Sequence, residues 1–138
     1  MRRVAAVVLV AAALLGGCSD DGEPARRPAR VLDLRPGSIE RIDVLETATG
    51  RTGSGEPGAR LAADLTPLLA VRELDRPRPE YGLDSPRLEV TIHTADRAVG
   101  LRVGADNFDG TAVYVLAGGR TALVLPRVVE ALEAMLEG

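Results

Sequence analysis

Leu88-Glu89-Val90-Thr91-Ile92-His93-Thr94-Ala95-Asp96-Arg97-Ala98-Val99-Gly100-Leu101-Arg102-Val103 decides the fold. Leu88, Val90 and Ile92 alternate with Glu89, Thr91 and His93, the period-2 pattern of a half-buried strand. Thr94-Ala95-Asp96-Arg97 suits a turn, and Val99, Leu101 and Val103 alternate again with Gly100 and Arg102. Downstream, Ala112-Val113-Tyr114-Val115-Leu116 predicts a third strand. Ala117-Gly118-Gly119-Arg120 predicts a tight hairpin, and Thr121 to Leu125 a fourth strand. Val128, Val129, Leu132, Met135 and Leu136 then recur at helical spacing, with Glu130, Glu133 and Glu137 on the other face and Pro126 at the start.

Upstream the pattern is weaker. Ile42-Asp43-Val44 alternates and predicts a strand. Thr49 to Gly58 reads as loop throughout, and its glycines fit neither a dinucleotide nor a phosphate-cradling pattern. Leu61, Ala62, Leu65, Leu68 and Leu69 fall on one helical face. Pro67 interrupts them, so a short helix is expected from Asp64 or Thr66 to about Val71. Glu73 to Glu80 is expected to be extended, since residues before Pro77 and Pro79 avoid the helical region. The expected fold class is α+β: an antiparallel β-meander of about four to five strands, packed with a short central helix and a C-terminal amphipathic helix.

Composition removes whole classes of function. The 138 residues carry 17 basic and 20 acidic side chains, a formal charge of -3, which does not suit a nucleic-acid binder. Every basic residue is Arg, so lysine chemistry is excluded. There is no Trp, with 2 Tyr and 1 Phe, which leaves no aromatic platform for bases or sugars. One Cys and one His exclude an intrachain disulfide and any site needing two imidazoles.

The start of the chain carries the localisation signal. Met1-Arg2-Arg3 is positive, Val4 to Leu15 is unbroken Val, Ala and Leu, and Gly16-Gly17-Cys18 follows. That order describes a secretory signal peptide, and the apolar run falls short of the roughly 20 residues that span a bilayer. Leu15-Gly16-Gly17-Cys18 resembles the lipobox of bacterial lipoproteins. The resemblance implies removal of residues 1–17 and a diacylglycerol on Cys18, the expected lipid-attachment residue. Each buried methylene contributes about 0.8 kcal/mol, so two or more chains anchor stably. Residues 18–30 are polar, charged and proline-bearing, and read as a flexible acylated tether. Residues 31–138 are expected to form a single small domain. The expected location is the extracytoplasmic face of a bacterial membrane.

Within that domain, Tyr81-Gly82-Leu83-Asp84-Ser85-Pro86, Leu101-Arg102-Val103-Gly104 and Ala112-Val113-Tyr114-Val115 together resemble the domain-of-unknown-function family four-three-four-zero. Some members of that family accompany gliding-motility-type ABC transporters as auxiliary envelope proteins. The resemblance covers Leu61 to Leu136 and is carried by Tyr81 to Leu125. This chain departs from the family in having no Trp and a single short unit. The resemblance implies a fold and transfers no catalytic residue. A structural reading of the Tyr81–Pro86 element needs only turn chemistry. Gly82 permits a left-handed turn, Asp84 can bond the backbone two residues on, Pro86 fixes φ, and Tyr81 packs its ring against the core.

Other candidates reduce to simpler readings. His93 lies on the polar side of its strand, with nothing to orient Ser38, Ser54 or Ser85 toward it. Asp106-Asn107-Phe108-Asp109-Gly110 lacks the spacing and the distal Glu of a calcium loop. Phe108 at that loop tip suits a partner contact or a lid folded over the sheet. No catalytic residue, metal ligand or cofactor site is assigned. The expected function is a lipid-anchored, non-enzymatic protein-binding or accessory module of the cell envelope, with a membrane attachment through Cys18 and an envelope protein as partner. Service to a membrane transport complex is what the family resemblance implies. The alternative is a small cell-surface hydrolase or carbohydrate-handling enzyme, which requires a pocket gathering two acids, or His93 with a serine.

Overall fold

The computed structural model describes residues 28–137. Cys18 and most of the tether lie outside the described residues. Strands β1 (Arg30–Leu32) and β2 (Ile39–Glu46) lead into β3 (Thr52–Gly55), helix α1 (Ala59–Leu65), β4 (Leu68–Leu69) and β5 (Arg72–Leu74). A 3-10 turn at Pro79–Tyr81 precedes β6 (Leu88–Thr94), β7 (Ala98–Asp106), β8 (Val113–Ala117) and β9 (Arg120–Val124). Helix α2 (Pro126–Ala134) and a 3-10 turn at Met135–Glu137 close the chain.

Seven strands form one antiparallel sheet in the order β3-β2-β6-β7-β8-β9-β5, and β1 pairs with β4 in a separate two-stranded ribbon. This corrects the expected α+β class: the fold is β-rich, with 42% strand against 20% helix. The four-stranded meander occupies β6 to β9. The additional strands come from segments too short or too glycine-rich to show alternation. β3 lies within the stretch read as loop. It forms because Glu46 and Arg51 pair across the turn, with Gly50 at φ 77 letting the chain reverse. β5 arises from the Glu73–Glu80 approach and takes its pattern from β9, with Arg72, Glu73 and Leu74 opposite Leu123, Ala122 and Thr121.

The central helix also differs from expectation. α1 ends at Leu65, ahead of Pro67, and Leu68 and Leu69 pair with β1 instead. The residue before a proline avoids the helical region, so Thr66 stops the helix that was expected to begin beside it. Leu61, Leu65 and Leu68 are all buried, but from two different elements. The apolar spacing reflected a common core, not one continuous helix.

Cross-strand register explains the burial. Val44, Val90, Leu101 and Ala117 form one row, and Leu88, Val103, Val115 and Ala122 form the next. These residues share one face of the sheet and pack with Leu61, Leu65, Val128, Val129, Leu132, Val31 and Leu32 in a single core. The opposite face carries Asp43, Thr91, Glu89, Arg102, Leu116 and Tyr114. None of these is fully buried. Over the β9 end of this open face fold the residues between β5 and β6.

Candidate functional site

Three groups of polar and aromatic side chains lie on or beside the open face. The first is built by pairing across β3, β2 and β6. Asp43 lies opposite Ser54 on one side and Thr91 on the other, and Arg41 lies opposite His93. Ser54 Oγ donates to Asp43 Oδ1 at 2.6 Å, and His93 Nε2 lies 2.8 Å from Asp43 Oδ2. The Arg41 guanidinium donates to both carboxylate oxygens at 3.1 and 3.2 Å. His93, expected to be exposed and unpartnered, is half-buried and held.

The structure thus brings Ser54 and His93 to one carboxylate, in an order that does not activate a nucleophile. A serine nucleophile requires the imidazole as its base, oriented by the acid. Here the acid sits between them. The Ser54 hydroxyl, His93 and Arg41 hold the Asp43 carboxyl down from 3.8 to about 2, too weak a base to take a serine proton near neutrality. The cluster ties three strands together. A depressed carboxyl stabilises the fold fully above pH 3.8 and loses that contribution as pH falls toward about 2. Asp43→Asn is therefore expected to melt below the parent at pH 7, with the two curves converging as pH falls through that window. Thermal melts of both proteins from pH 7 to pH 2 check this, and a gap unchanged by pH would contradict it.

The second group contains the Tyr81–Pro86 element. Gly82 adopts φ 72 and caps the 3-10 turn, its N–H bonded to the Pro79 carbonyl. A Cβ at Gly104 would fall 2.2 Å from the Tyr81 carbonyl oxygen and 3.1 Å from Leu83 Cδ2. The two glycines therefore permit one close approach: the turn sits on the backbone of β7 where β7 carries Gly104. Tyr81 does not join the main core as expected. Its ring lies on Tyr114 of β8, on the opposite face, with centroids 4.0 Å apart and planes at 16°. Tyr81, Leu83 and Leu123 are buried there. Asp84 is exposed and its carboxylate makes no hydrogen bond among the described residues; the bond expected to the backbone two residues on cannot form, because Pro86 has no N–H to donate. Pro86 contributes its carbonyl, which accepts from the Thr47 hydroxyl. Arg87 pairs with Asp106 at 3.1 Å and fastens the start of β6 to the end of β7.

The third group is the β7–β8 loop. Asn107 Oδ1 accepts from the backbone N–H of Thr111 and Ala112 at 2.9 and 3.1 Å. Asp109 Oδ1 accepts from the Thr111 hydroxyl at 2.7 Å and from its N–H at 3.1 Å. Those bonds, the hydroxyl first, lower the Asp109 carboxyl below its usual range. Asp109 is thus spent on the loop itself and Asp106 on Arg87, and no group of three potential metal ligands occurs among the described residues. Phe108 is 99% exposed at the tip. It is not a lid over the sheet.

No protein-family model, no curated protein and no solved structure matches this chain. The site has to be read from its own chemistry. Asp43 as the centre of a cross-strand cluster was missed in the sequence, because it depends on which strand neighbours β2. Tyr114 was read only as a strand residue. Its stacking on Tyr81 depends on the return of the chain over the open face.

Proposed function

We propose that this chain is a lipid-anchored protein of a bacterial cell envelope, acting as a non-enzymatic protein-binding or accessory module. The observation that most supports the reading is Phe108. A fully exposed aromatic side chain on a loop braced by five side-chain hydrogen bonds is arranged for contact. Burying such a side chain contributes about 1.5–3 kcal/mol, and a loop already ordered loses little entropy on binding. The lipobox-like Leu15-Gly16-Gly17-Cys18 supports the anchor, and no helix among the described residues is long and apolar enough to cross a membrane. The order Ser54–Asp43–His93 weighs against the hydrolase alternative. The resemblance to family four-three-four-zero makes an auxiliary role beside a membrane transport complex the specific version of this proposal.

The test combines two readouts on the full chain in its bacterial host. Intact mass of the membrane-extracted protein is expected to show loss of residues 1–17 and gain of acyl chains, both abolished in Cys18→Ala. A photo-crosslinking aromatic placed at Phe108 is expected to capture an envelope protein, and the same group at Arg60 is expected to capture none. Phe108→Ser is expected to weaken recovery of that partner about tenfold or more, the equivalent of about 1.4 kcal/mol. A soluble, unlipidated product would overturn the anchor. Equal capture from positions 108 and 60 would overturn the contact.

A further inference from the structure

The open face carries a cleft that none of these roles uses. It has a volume of ≈ 590 Å³ and lies between β5, the arch that leaves it, and the stacked tyrosines. Arg72, Arg76 and Arg78 line it, with Tyr81, Tyr114 and Leu123 beside them. Five other arginines are held in ion pairs with acids, at Arg30, Arg41, Arg51, Arg87 and Arg127. The three cleft arginines make no ion pair and no side-chain hydrogen bond among the described residues.

Their placement follows from the sequence. In β5, Arg72 lies opposite Leu123, which in turn lies opposite Tyr114, so Arg72 shares the cleft face. Glu73, opposite Ala122, also lines the cleft, as does Asp75. Beyond β5 the chain reads Arg76-Pro77-Arg78-Pro79. Each proline fixes its own φ and holds the preceding arginine extended, as at Arg78 with φ -128 and ψ 154. Two guanidinium groups are therefore carried on a backbone with little freedom to lose. Three arginines against the two acids Glu73 and Asp75 leave positive charge in excess in the cleft lining, although the whole chain is acidic.

We propose that this cleft binds a ligand bearing two or more oxyanion groups, phosphate or carboxylate. Guanidinium forks match the geometry of both, and charge-assisted bonds to them are about twice as strong as neutral ones. Three forks exceed what one small anion needs, and the volume lies within the range of ligand pockets. The site is independent of Phe108, which lies in the β7–β8 loop.

The protein supplies its own probe. It contains no Trp, and its 2 tyrosines both line the cleft, so intrinsic tyrosine fluorescence reports there. The full chain in neutral detergent is titrated with tripolyphosphate and, separately, with citrate at constant ionic strength. A saturable change with at least one is expected, and which one binds distinguishes a phosphate from a carboxylate source. Arg76→Gln/Arg78→Gln is expected to weaken that binding about tenfold or more, while Arg60→Gln/Arg97→Gln, an equal loss of charge elsewhere, leaves it within about twofold. All four side chains are exposed, and unchanged melting temperatures verify that the folds are equivalent. No saturation with either anion, or the same effect from both double variants, would overturn the proposal.

Discussion

Gly104→Ala is expected to destabilise the domain by about 2–3 kcal/mol, at the upper end of what overpacking costs. The new Cβ would fall 2.2 Å from the Tyr81 carbonyl oxygen, with the Gly82 carbonyl carbon at 3.2 Å, and neither belongs to a flexible side chain. Relief requires the whole Tyr81–Leu83 turn to lift from β7, which breaks the tyrosine stack and exposes Leu83. A matched case separates sterics from glycine's backbone freedom. A Cβ at Gly53 would also fall 2.2 Å from a carbonyl, that of Met135, but Met135 starts the last turn of the chain. That three-residue turn holds no fully buried residue and can shift. Gly53→Ala is therefore expected to cost less than half as much. Urea unfolding of both variants checks the order, and equal losses would show that the turn over β7 is not rigidly seated.

Ile92→Ala carries the other large expected effect. Ile92 is 0% exposed and sits between Ile42 of β2 and Val99 of β7 in the interior of the sheet. Truncation at such a site loses the transfer free energy of three carbons and leaves a cavity that its neighbours fill only partly. The expected cost is about 2–5 kcal/mol, out of a total stability of about 5–15 kcal/mol for a domain of this kind. A fall in the urea midpoint with an unchanged slope would show a cavity in an intact two-state fold. A loss below about 1 kcal/mol would mean that β2 and β7 close the gap, and that the interior of the sheet is less firmly packed than its register implies.

The first three strands of the meander were legible because each has one buried and one open face. Leu88–Ile92, Val99–Val103 and Val113–Val115 show the alternation, whereas the last strand follows from the Gly118-Gly119 hairpin and is buried on both faces from Thr121 to Val124; the boundaries of all four differ from expectation by one to three residues. Helix α2 was legible from its spacing and from Pro126. β3 was not, since Thr52-Gly53-Ser54-Gly55 has no alternating apolar residues. Gly53 is there so that the backbone of Met135 can approach, a requirement that arises 82 residues later in the chain. β4 and β5, of 2 and 3 residues, are too short for any period. They are strands because partners with free edges lie beside them.

The candidate sites divide in the same way. Phe108 was visible as a lone aromatic among turn residues, and the loop bonds that hold it are local, within five residues. Arg76-Pro77-Arg78-Pro79 was visible as extended chain, but nothing local says that Arg72 and two tyrosines would join it. The Ser54–Asp43–His93 cluster spans 50 residues of sequence across three neighbouring strands. Sequence by itself determined the alternating faces, the hairpins, the closing helix and the left-handed turn at Gly82, because those depend on steric and hydropathic preferences acting over a few residues. Tertiary structure alone decided the order of the seven strands, the β-rich balance, the pairing of Asp43 with His93, and the meeting of three arginines with two tyrosines in one cleft. These are consequences of long-range hydrogen-bond pairing and common burial, which bring together residues that carry no local signal of one another.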